Sequence, residues 1–184
     1  MQSEIVISGF GGQGALFAGQ LLAYAGLDAG LHTTWFPSYG PEMRGGTAHC
    51  TTILSDAPIG SPVVRNPRAA IVLNLPSLER YEPLIKAGGV LVVNSSIIAR
   101  RPQRTDLQAL LIPGDAVAQE LGSPRIANLV LLGALLTELP VLDPAQVEAT
   151  LEHVIPAHHR NLLALNVAAL ARGAALAREA PATV

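Results

Sequence analysis

Hydrophobic positions follow two periods that alternate through the first two-thirds of the chain. Short aliphatic runs rich in β-branched residues and bounded by glycine or proline predict buried strands, and longer stretches with apolar residues at helical spacing predict helices. The predicted strands span residues 4–10, 32–36, 47–54, 69–75 and 90–94, with a further short apolar run at 107–112. The predicted helices span residues 15–27, 77–86, 115–121, 124–138 and 157–178, and another begins at Asp143, with Gln146 completing a variant of the capping box.

This alternation is typical of a mostly parallel, doubly wound sheet. Helical patterns dominate the last third of the chain. A length of 184 residues suits one domain and suffices to bury a core without disulfide bonds. We therefore predict an α/β, Rossmann-like single domain over residues 1–184 with a helical C-terminal third.

Composition and charge exclude several classes of protein. Hydrophobic residues make up 49% of the chain and charged residues only 14%, which excludes intrinsic disorder as the main state. A net charge of -2 offers no basic surface for nucleic acid. The low charge indicates a chain that hides apolar surface against partners or copies of itself, unless it reflects an alanine-rich composition from a GC-rich genome.

Cysteine content limits the metal sites that the chain can form, and hydropathy indicates where the protein is located. A single cysteine excludes an intramolecular disulfide and any cysteine-rich iron–sulfur site built from this chain alone. The longest apolar stretch, residues 126–136, is shorter than the roughly 18 residues that a spanning helix needs. No secretory signal is visible at the N-terminus, so we expect a cytoplasmic protein with no membrane partner.

A glycine-rich segment follows the first predicted strand and opens the first predicted helix. The segment from Gly9 to Gly14 fits G-x-G-x-x-G, and its missing side chains permit a tight turn and close approach of an anion to the helix N-terminus. A dinucleotide site also needs an acidic residue at the end of the second strand, but Asp28, the acid that lies nearest, falls in the preceding helix. Another phosphate-bearing ligand remains open, as does a turn that only permits close packing of helix and strand.

The loop after the second predicted strand holds the densest group of polar residues. In a parallel sheet it faces the same crevice as the glycine turn. Glu42 and Arg44 can pair with each other or reach a partner; the alternative is a rigid surface loop with solvated charges. The segment reads Tyr39, Gly40, Pro41, Glu42, Met43, Arg44, Gly45 and Gly46.

Other polar residues have simpler interpretations. His49 and Cys50 are neighbours on a predicted strand and point to opposite faces, so they do not form a catalytic pair, and we expect Cys50 to be a small buried hydrophobe. The patch formed by Arg100, Arg101 and Arg104 is expected to be a solvated loop, with contact to a phosphate or partner as the alternative. Asn128, inside an apolar helix, is expected to make a buried hydrogen bond or an interface contact.

Taken together, these segments resemble the gamma subunit of 2-oxoacid:ferredoxin oxidoreductases. Joined at this spacing, G-x-G-G-Q-G and E-M-R-G-G-T-A are a specific combination. The tyrosine-containing loop resembles the 2-oxoglutarate type more than the pyruvate or 2-ketoisovalerate types. The resemblance rests on residues 9–14, 39–48, 55–59, 61–62, 74, 88–89, 94–96, 112–113, 120–122, 125–128 and 132–134.

The resemblance implies a subunit that does not act alone. Such complexes convert a 2-oxoacid, CoA and oxidised ferredoxin into acyl-CoA and CO2. Thiamine diphosphate, Mg and iron–sulfur clusters are expected on the partners, which are the alpha and beta subunits and a ferredoxin-like subunit or ferredoxin. This chain is expected to hold no cofactor or metal of its own, to supply no catalytic residue, and to be inactive in isolation.

The resemblance also implies roles for the polar segments. The alternatives are a free-standing nucleotide-binding oxidoreductase, which the missing ribose-binding acid disfavours, and a scaffold subunit that binds no ligand. We predict a cradle for the phosphates of CoA at Gly11, Gly12, Gln13 and Gly14, with hydrogen-bonding partners at Asn94, Ser95 and Ser96. We predict contacts with the partner subunits or the cleft for Tyr39, Glu42, Met43, Arg44, Gly45, Gly46 and Asn128.

Overall fold

The computed structural model describes residues 1–38, 47–155 and 157–180. Within these residues, six strands form one sheet in the order β2-β3-β1-β4-β5-β6. The strands are β1 Gln2–Phe10, β2 His32–Ser38, β3 Thr47–Ser55, β4 Ala69–Val72, β5 Val90–Asn94 and β6 Gln108–Ile112. The helices are α1 Ala15–Asp28, α2 Leu75–Tyr81, α3 Gly114–Glu120, α4 Ala127–Glu138, α5 Pro144–Val154 and α6 Leu163–Glu179.

The predicted α/β class and mostly parallel sheet are confirmed. The neighbours β1, β4, β5 and β6 are parallel, whereas β3 runs antiparallel to both β1 and β2. The connection between β2 and β3 is too short for a crossover, so these two strands pair as antiparallel neighbours. As a result, β3 lies between β1 and β2, and five of the six strands end at one edge of the sheet, which we call the carboxyl edge.

Helices cover the two faces of the sheet unequally. On one face, α1, α3, α4, α5 and α6 bury Ile5, Ile7 and the inward side chains of β4 and β5 in a large core. On the other face, α2 packs on Val6, Ala70 and Leu91. The central strands are thus buried on both sides, as their unbroken aliphatic runs predict.

One helix pair packs unusually closely. A Cβ atom on Gly133 of α4 would overlap the backbone carbonyl of Leu170, and a Cβ on Gly173 of α6 would overlap that of Val130. Glycine at both positions therefore lets the two helix backbones touch. Ten of the residues of α4 are buried, so this helix is buried nearly all round.

Several predicted boundaries shift for local reasons. The strand predicted over 69–75 ends at Val72, because Asn74 caps α2 by accepting a hydrogen bond from the Ser77 N–H at 2.9 Å. The helices predicted over 77–86, 124–138 and 157–178 each contain a short 3₁₀ segment, namely Glu82–Leu84, Pro124–Ile126 and Ala157–Leu162. The capping box of Asp143 and Gln146 is present. In the described part of the chain, no helix is both long and apolar enough to cross a bilayer.

Candidate functional site

The glycine turn lies where the sheet changes its direction of winding. The chain leaves β1 for α1 on one face, whereas it leaves β4 for α2 on the other. Ligands of open α/β sheets bind in the crevice at this point, outside the carboxyl ends of the strands. A pocket of about 130 Å³ opens there, lined by Gly12, Gln13, Leu73, Asn94, Asp115, Pro124, Arg125 and Ala127.

The glycine turn presents open backbone to this pocket. Gly12 and Gly14 have φ angles of 96° and 78°, a region that strongly favours glycine. No atom lies within 4 Å of the place where a Cβ of Gly12 would stand, and Gly11 and Gly12 are exposed. No side chain of the described residues caps α1. Its first N–H groups therefore remain available to an anion, as the predicted cradle requires.

The side chain of Gln13 is engaged within the protein. Its Oε1 accepts a hydrogen bond from the Phe10 N–H at 2.7 Å, and its Nε2 donates to the Leu73 carbonyl at 3.1 Å. The backbone N–H of Gln13 donates to the Phe10 carbonyl at 3.1 Å and closes the turn. Gln13 thus lines the pocket while its amide joins the two sides of the crevice.

Asn128 supports the glycine turn from below. It is 3% exposed, and its Nδ2 donates to the carbonyl of Gly14 at 3.0 Å. A Cβ on Gly14 would come within 2.5 Å of that same Nδ2. The expected buried hydrogen bond is confirmed, and contact with a partner subunit stays a prediction.

The predicted hydrogen-bonding segment at the end of β5 reaches the same edge, where two of its side chains hold α3. Asn94 lines the pocket and donates from Nδ2 to Asp115 Oδ2 at 2.5 Å. Ser96 Oγ accepts from the Ala116 N–H at 3.1 Å, and the Ser95 N–H donates to the Ile112 carbonyl at 2.9 Å. The segment therefore ties β5 to the connection between β6 and α3, and its contact with CoA stays a prediction.

Three buried amide atoms at this edge have no hydrogen-bond partner among the described residues. They are Nδ2 of Asn74, Oδ1 of Asn94 and Oδ1 of Asn128. Other buried atoms without a partner, such as Trp35 Nε1 and Arg100 Nε, lie elsewhere among the described residues. These three share one edge with the pocket, where a ligand or ordered water can reach such groups.

Sequence reasoning did not single out two charged residues of the pocket. Asp115 begins α3, and Arg125 lies in the 3₁₀ segment before α4. Neither has an ion-pair partner in the part of the chain that the structure describes. Arg125 belongs to the R-I-A-N segment that carries part of the resemblance, so a signal was present. Asp115 becomes visible as a pocket residue only once α3 is placed beside β5.

The polar loop predicted to face the crevice lies outside the described residues. This applies to Tyr39, Glu42, Met43, Arg44, Gly45 and Gly46. The residues on either side of it are placed: Ser38 pairs with His49, which pairs with Ser8, and Thr47 pairs with Phe10. The chain therefore enters and leaves this loop at the carboxyl edge, beside the glycine turn.

Cys50 and His49 are neighbours on β3 and lie on opposite faces of the sheet. Cys50 is fully buried on the face opposite to His49, and burial raises the pKa of its thiol to about 11, so the prediction of a small buried hydrophobe is confirmed. Burial, followed by the nearby Arg80, lowers the pKa of His49. The described residues contain no group of three or more His, Cys, Asp or Glu side chains that could hold a metal.

The expectation of a solvated arginine loop is wrong for two of its three residues. Arg100 and Arg104 are bound to the 3₁₀ segment that follows α2, of which Glu82 is the buried residue. Glu82, only 3% exposed, accepts from Arg100 at 3.0 Å and from the backbone N–H groups of Gln103 and Arg104. These arginines hold the entry to β6 and lie away from the pocket; Arg101 alone is exposed.

A larger groove lies elsewhere, between α1 and α5. Its volume is about 530 Å³, and it is lined by Phe17, Gln20, Tyr24, Asp28, Thr150, His153 and Val154. It contains none of the predicted site residues and none of the unpaired amide atoms, so the smaller pocket at the carboxyl edge is the better candidate site.

The fold defines a class: an α/β domain with a glycine turn and an uncapped helix N-terminus at the carboxyl edge of its sheet. Residues 4–176 match the family described as pyruvate ferredoxin/flavodoxin oxidoreductase, and the chain belongs to this family. The resemblance to the gamma subunit of 2-oxoacid:ferredoxin oxidoreductases is thereby confirmed.

Relatives and solved structures agree on the family. The 2-oxoglutarate synthase subunit KorC of Methanocaldococcus jannaschii is 33% identical, with 90% of this chain and 91% of that one covered. The ketoisovalerate oxidoreductase subunit VorA of Methanothermobacter thermautotrophicus is 35% identical over 96% of this chain. The gamma subunit of a keto/oxoacid ferredoxin oxidoreductase from Geobacter sulfurreducens is 29% identical, with a TM-score of 0.86 and 98% of both chains covered.

Some similar proteins are much longer than this chain. The match spans only 36% of the ketoisovalerate oxidoreductase subunit. It spans 32% of a 2-oxoglutarate:ferredoxin oxidoreductase chain from Magnetococcus marinus, solved with 2-oxoglutarate, coenzyme A and succinyl-CoA bound. That chain is 26% identical, with a TM-score of 0.87 over 98% of this chain. The unit represented by our chain thus also occurs within longer polypeptides.

Proposed function

We propose that this subunit completes the CoA site of a complex that oxidises a 2-oxoacid, with 2-oxoglutarate as the substrate. One observation carries the proposal: the glycine turn leaves open backbone and an uncapped helix N-terminus at the carboxyl edge. Both features suit the phosphates of CoA. Arg125, which lines the same pocket, adds a cation that suits phosphate oxygens.

The choice of 2-oxoglutarate rests on two supports. Subunits of 2-oxoglutarate synthases match nearly the full length of this chain, and the loop 39–46 contains the tyrosine-bearing sequence of that type. A ketoisovalerate oxidoreductase subunit has a similar identity, so the substrate needs a direct assay. Activity of the complex with 2-oxoglutarate, 2-ketoisovalerate and pyruvate would be compared, and a preference for either of the other acids would overturn this part of the proposal.

The proposal assigns the redox chemistry to partner subunits. Thiamine diphosphate and Mg belong to the alpha and beta subunits, as the resemblance to the gamma subunits implies. Iron–sulfur clusters belong to a ferredoxin-like protein or another partner, since the single cysteine of this chain is buried and cannot hold a cluster alone. This chain binds and orients CoA in the cytoplasm, and its isolated form hides apolar surface by self-association. Co-expression with this chain as bait tests the assembly: recovery of a thiamine-binding subunit is expected, and recovery of the chain alone would contradict it.

The CoA role is tested by equilibrium dialysis against the assembled complex. Gly12→Asp places a carboxylate and a strained backbone in the turn, so we expect at least about a tenfold loss of CoA affinity. Gly12→Ala introduces the backbone strain without the carboxylate, so it separates the two effects. Gly60→Asp is the matched control, because it adds a carboxylate at an open position where the glycine has no positive φ. An unchanged affinity in Gly12→Asp would refute the cradle.

A ligand-free scaffold is the second candidate, and one observation favours it. The side-chain amides of Gln13, Asn94 and Asn128 each donate to a group within the chain. A scaffold subunit would leave CoA affinity unchanged in every variant of the pocket while still being required for assembly. The dialysis series therefore decides between the two candidates.

A further inference from the structure

The backbone ladder between β1 and β4 stops one residue before the crevice. Ile5 to Ser8 pair in parallel with Ala69 to Val72, and a last bond runs from the Leu73 N–H to the Ser8 carbonyl at 2.8 Å. Beyond it the two chains separate, β1 into the glycine turn and β4 towards α2. The next donor on one side is the Phe10 N–H, and the next acceptor on the other is the Leu73 carbonyl.

The side chain of Gln13 occupies the gap between these two groups. Its amide accepts from Phe10 at 2.7 Å and donates to Leu73 at 3.1 Å, so it takes the place of one peptide unit in the ladder. Space for the amide depends on Gly9, where a Cβ would stand 2.8 Å from Gln13 Oε1 and 2.8 Å from Leu73 Cβ. The strands are thus held apart by a fixed width, with a hydrogen bond on each side.

We propose that Gln13 is a positioning residue, which holds the glycine turn at the distance from β4 that CoA binding requires, and that it acts through the turn rather than by touching CoA. The inference rests on the proposed CoA function. It changes the role expected for Gln13 from the sequence, because the oxygen and the nitrogen of its amide each make a hydrogen bond within the chain. The turn N–H groups and Arg125 are left to meet the ligand.

The hydrogen-bond pattern makes glutamine specifically necessary. Ionised glutamate has the same length but only acceptors, so it keeps the bond from Phe10 and repels the Leu73 carbonyl. Protonated glutamate regains a donor, which raises the pKa of the introduced carboxyl group in this place. Methionine has a similar length and loses both bonds.

The test is equilibrium dialysis of CoA against the assembled complex between about pH 5.5 and pH 8, because the Leu73 carbonyl favours the protonated form of the introduced carboxyl group and so raises its pKa. At the upper end we expect Gln13→Glu to bind CoA at least about tenfold more weakly than wild type. As the pH falls, its affinity recovers to within about threefold of wild type. Gln13→Met stays weak throughout. Gln119→Glu, the same change at an exposed position of α3, follows wild type and supplies the baseline for the ionisation of CoA itself.

Hydrogen exchange of the Phe10 amide provides a readout that does not depend on CoA. Gln13→Met is expected to speed this exchange, and unchanged exchange would overturn the inference. So would a Gln13→Glu affinity with the same pH dependence as Gln119→Glu. If Gly12→Asp weakens CoA binding and Gln13→Met does not, the positioning role of Gln13 is refuted while the proposed CoA function stands. If neither variant weakens CoA binding, the proposed CoA function fails too.

Discussion

The two edges of the sheet differ in whether their charged groups are paired within the chain. At the amino edge, where β1, β4, β5 and β6 begin, charges are paired inside the chain: Lys86 with Glu4 at 2.8 Å and Arg104 with Asp106 at 2.5 Å. At the carboxyl edge, Asp115 and Arg125 have no ion-pair partner among the described residues, and three buried amide atoms are unpaired.

This difference separates groups that stabilise the fold from groups available to a ligand. Both edges contain arginines and carboxylates, so residue type alone does not distinguish them. What distinguishes them is whether the charged groups are paired within the chain, since a buried atom without a hydrogen-bond partner, Arg100 Nε, also occurs near the amino edge. Changes at the amino edge should therefore alter stability and spare CoA binding, while changes at the carboxyl edge should reduce CoA binding.

The largest effect is expected at Glu82, which organises the arginine loop near the amino edge. Glu82→Ala removes the acceptor of two backbone N–H groups and of Arg100, so the free energy of unfolding should fall by about 3 kcal/mol. Glu79→Ala is the matched control, because Glu79 pairs with the same arginine but is 57% exposed, and less than about 0.5 kcal/mol is expected. Urea unfolding measures both, and a loss of CoA affinity in Glu82→Ala would break the comparison.

A smaller loss of stability, with a loss of CoA affinity, is expected at Asn128. Asn128→Ala removes the hydrogen bond to the Gly14 carbonyl and loosens the turn. The free energy of unfolding should fall by about 1.5 kcal/mol. Asn166→Ala provides the control, since Asn166 is a buried asparagine of another helix, α6. Equal CoA affinities in the two variants would show that the carboxyl edge does not depend on this support.

Cys50 reports on the packing beneath α1 between the two edges. Its Sγ lies 3.4 Å from the Ala15 carbonyl, and burial raises its pKa to about 11. The folded state keeps the proton that the unfolded state loses, so stability should fall by about 1 kcal/mol per pH unit between pH 9.0 and about pH 11. Cys50→Ala should lack this component. Below pH 9.0 we expect no alkylation until urea unfolds the chain; rapid alkylation of the folded protein would show that α1 opens readily.

The smallest effect on stability is expected at His49 of β3, which pairs with Ser8 of β1. Burial and then Arg80 lower its pKa, so its ring stays neutral in the folded protein at pH values where the unfolded chain is protonated. Its contribution to stability is thus present above the ordinary value of 6.5 and is lost as the pH falls below it. Arg80→Gln should raise the His49 pKa in an NMR titration, and no change would exclude the arginine as a cause.

Most elements of the fold follow from local patterns, whereas the use of the site residues does not. The glycine turn was predicted because φ angles such as that of Gly12 are encoded in adjacent residues. Asp115 was missed, because its place beside Asn94 depends on the pairing of β5 with β6. Likewise, the buried partner of Arg100 and Arg104 is Glu82, about 20 residues earlier in the chain, and charge spacing carries no signal for such a contact.

The sequence by itself determined the α/β class, the position of the glycine turn and the family, since each depends on short-range periodicity or on motifs in order. Only the tertiary structure decided that β3 lies between β1 and β2, and that Gln13 bridges two diverging strands. The physical reason is that hydrogen bonds between residues far apart in the chain are available only after the sheet has assembled. Whether an amide or a charge is free for a ligand depends on those bonds, so it cannot be deduced from the type of the residue.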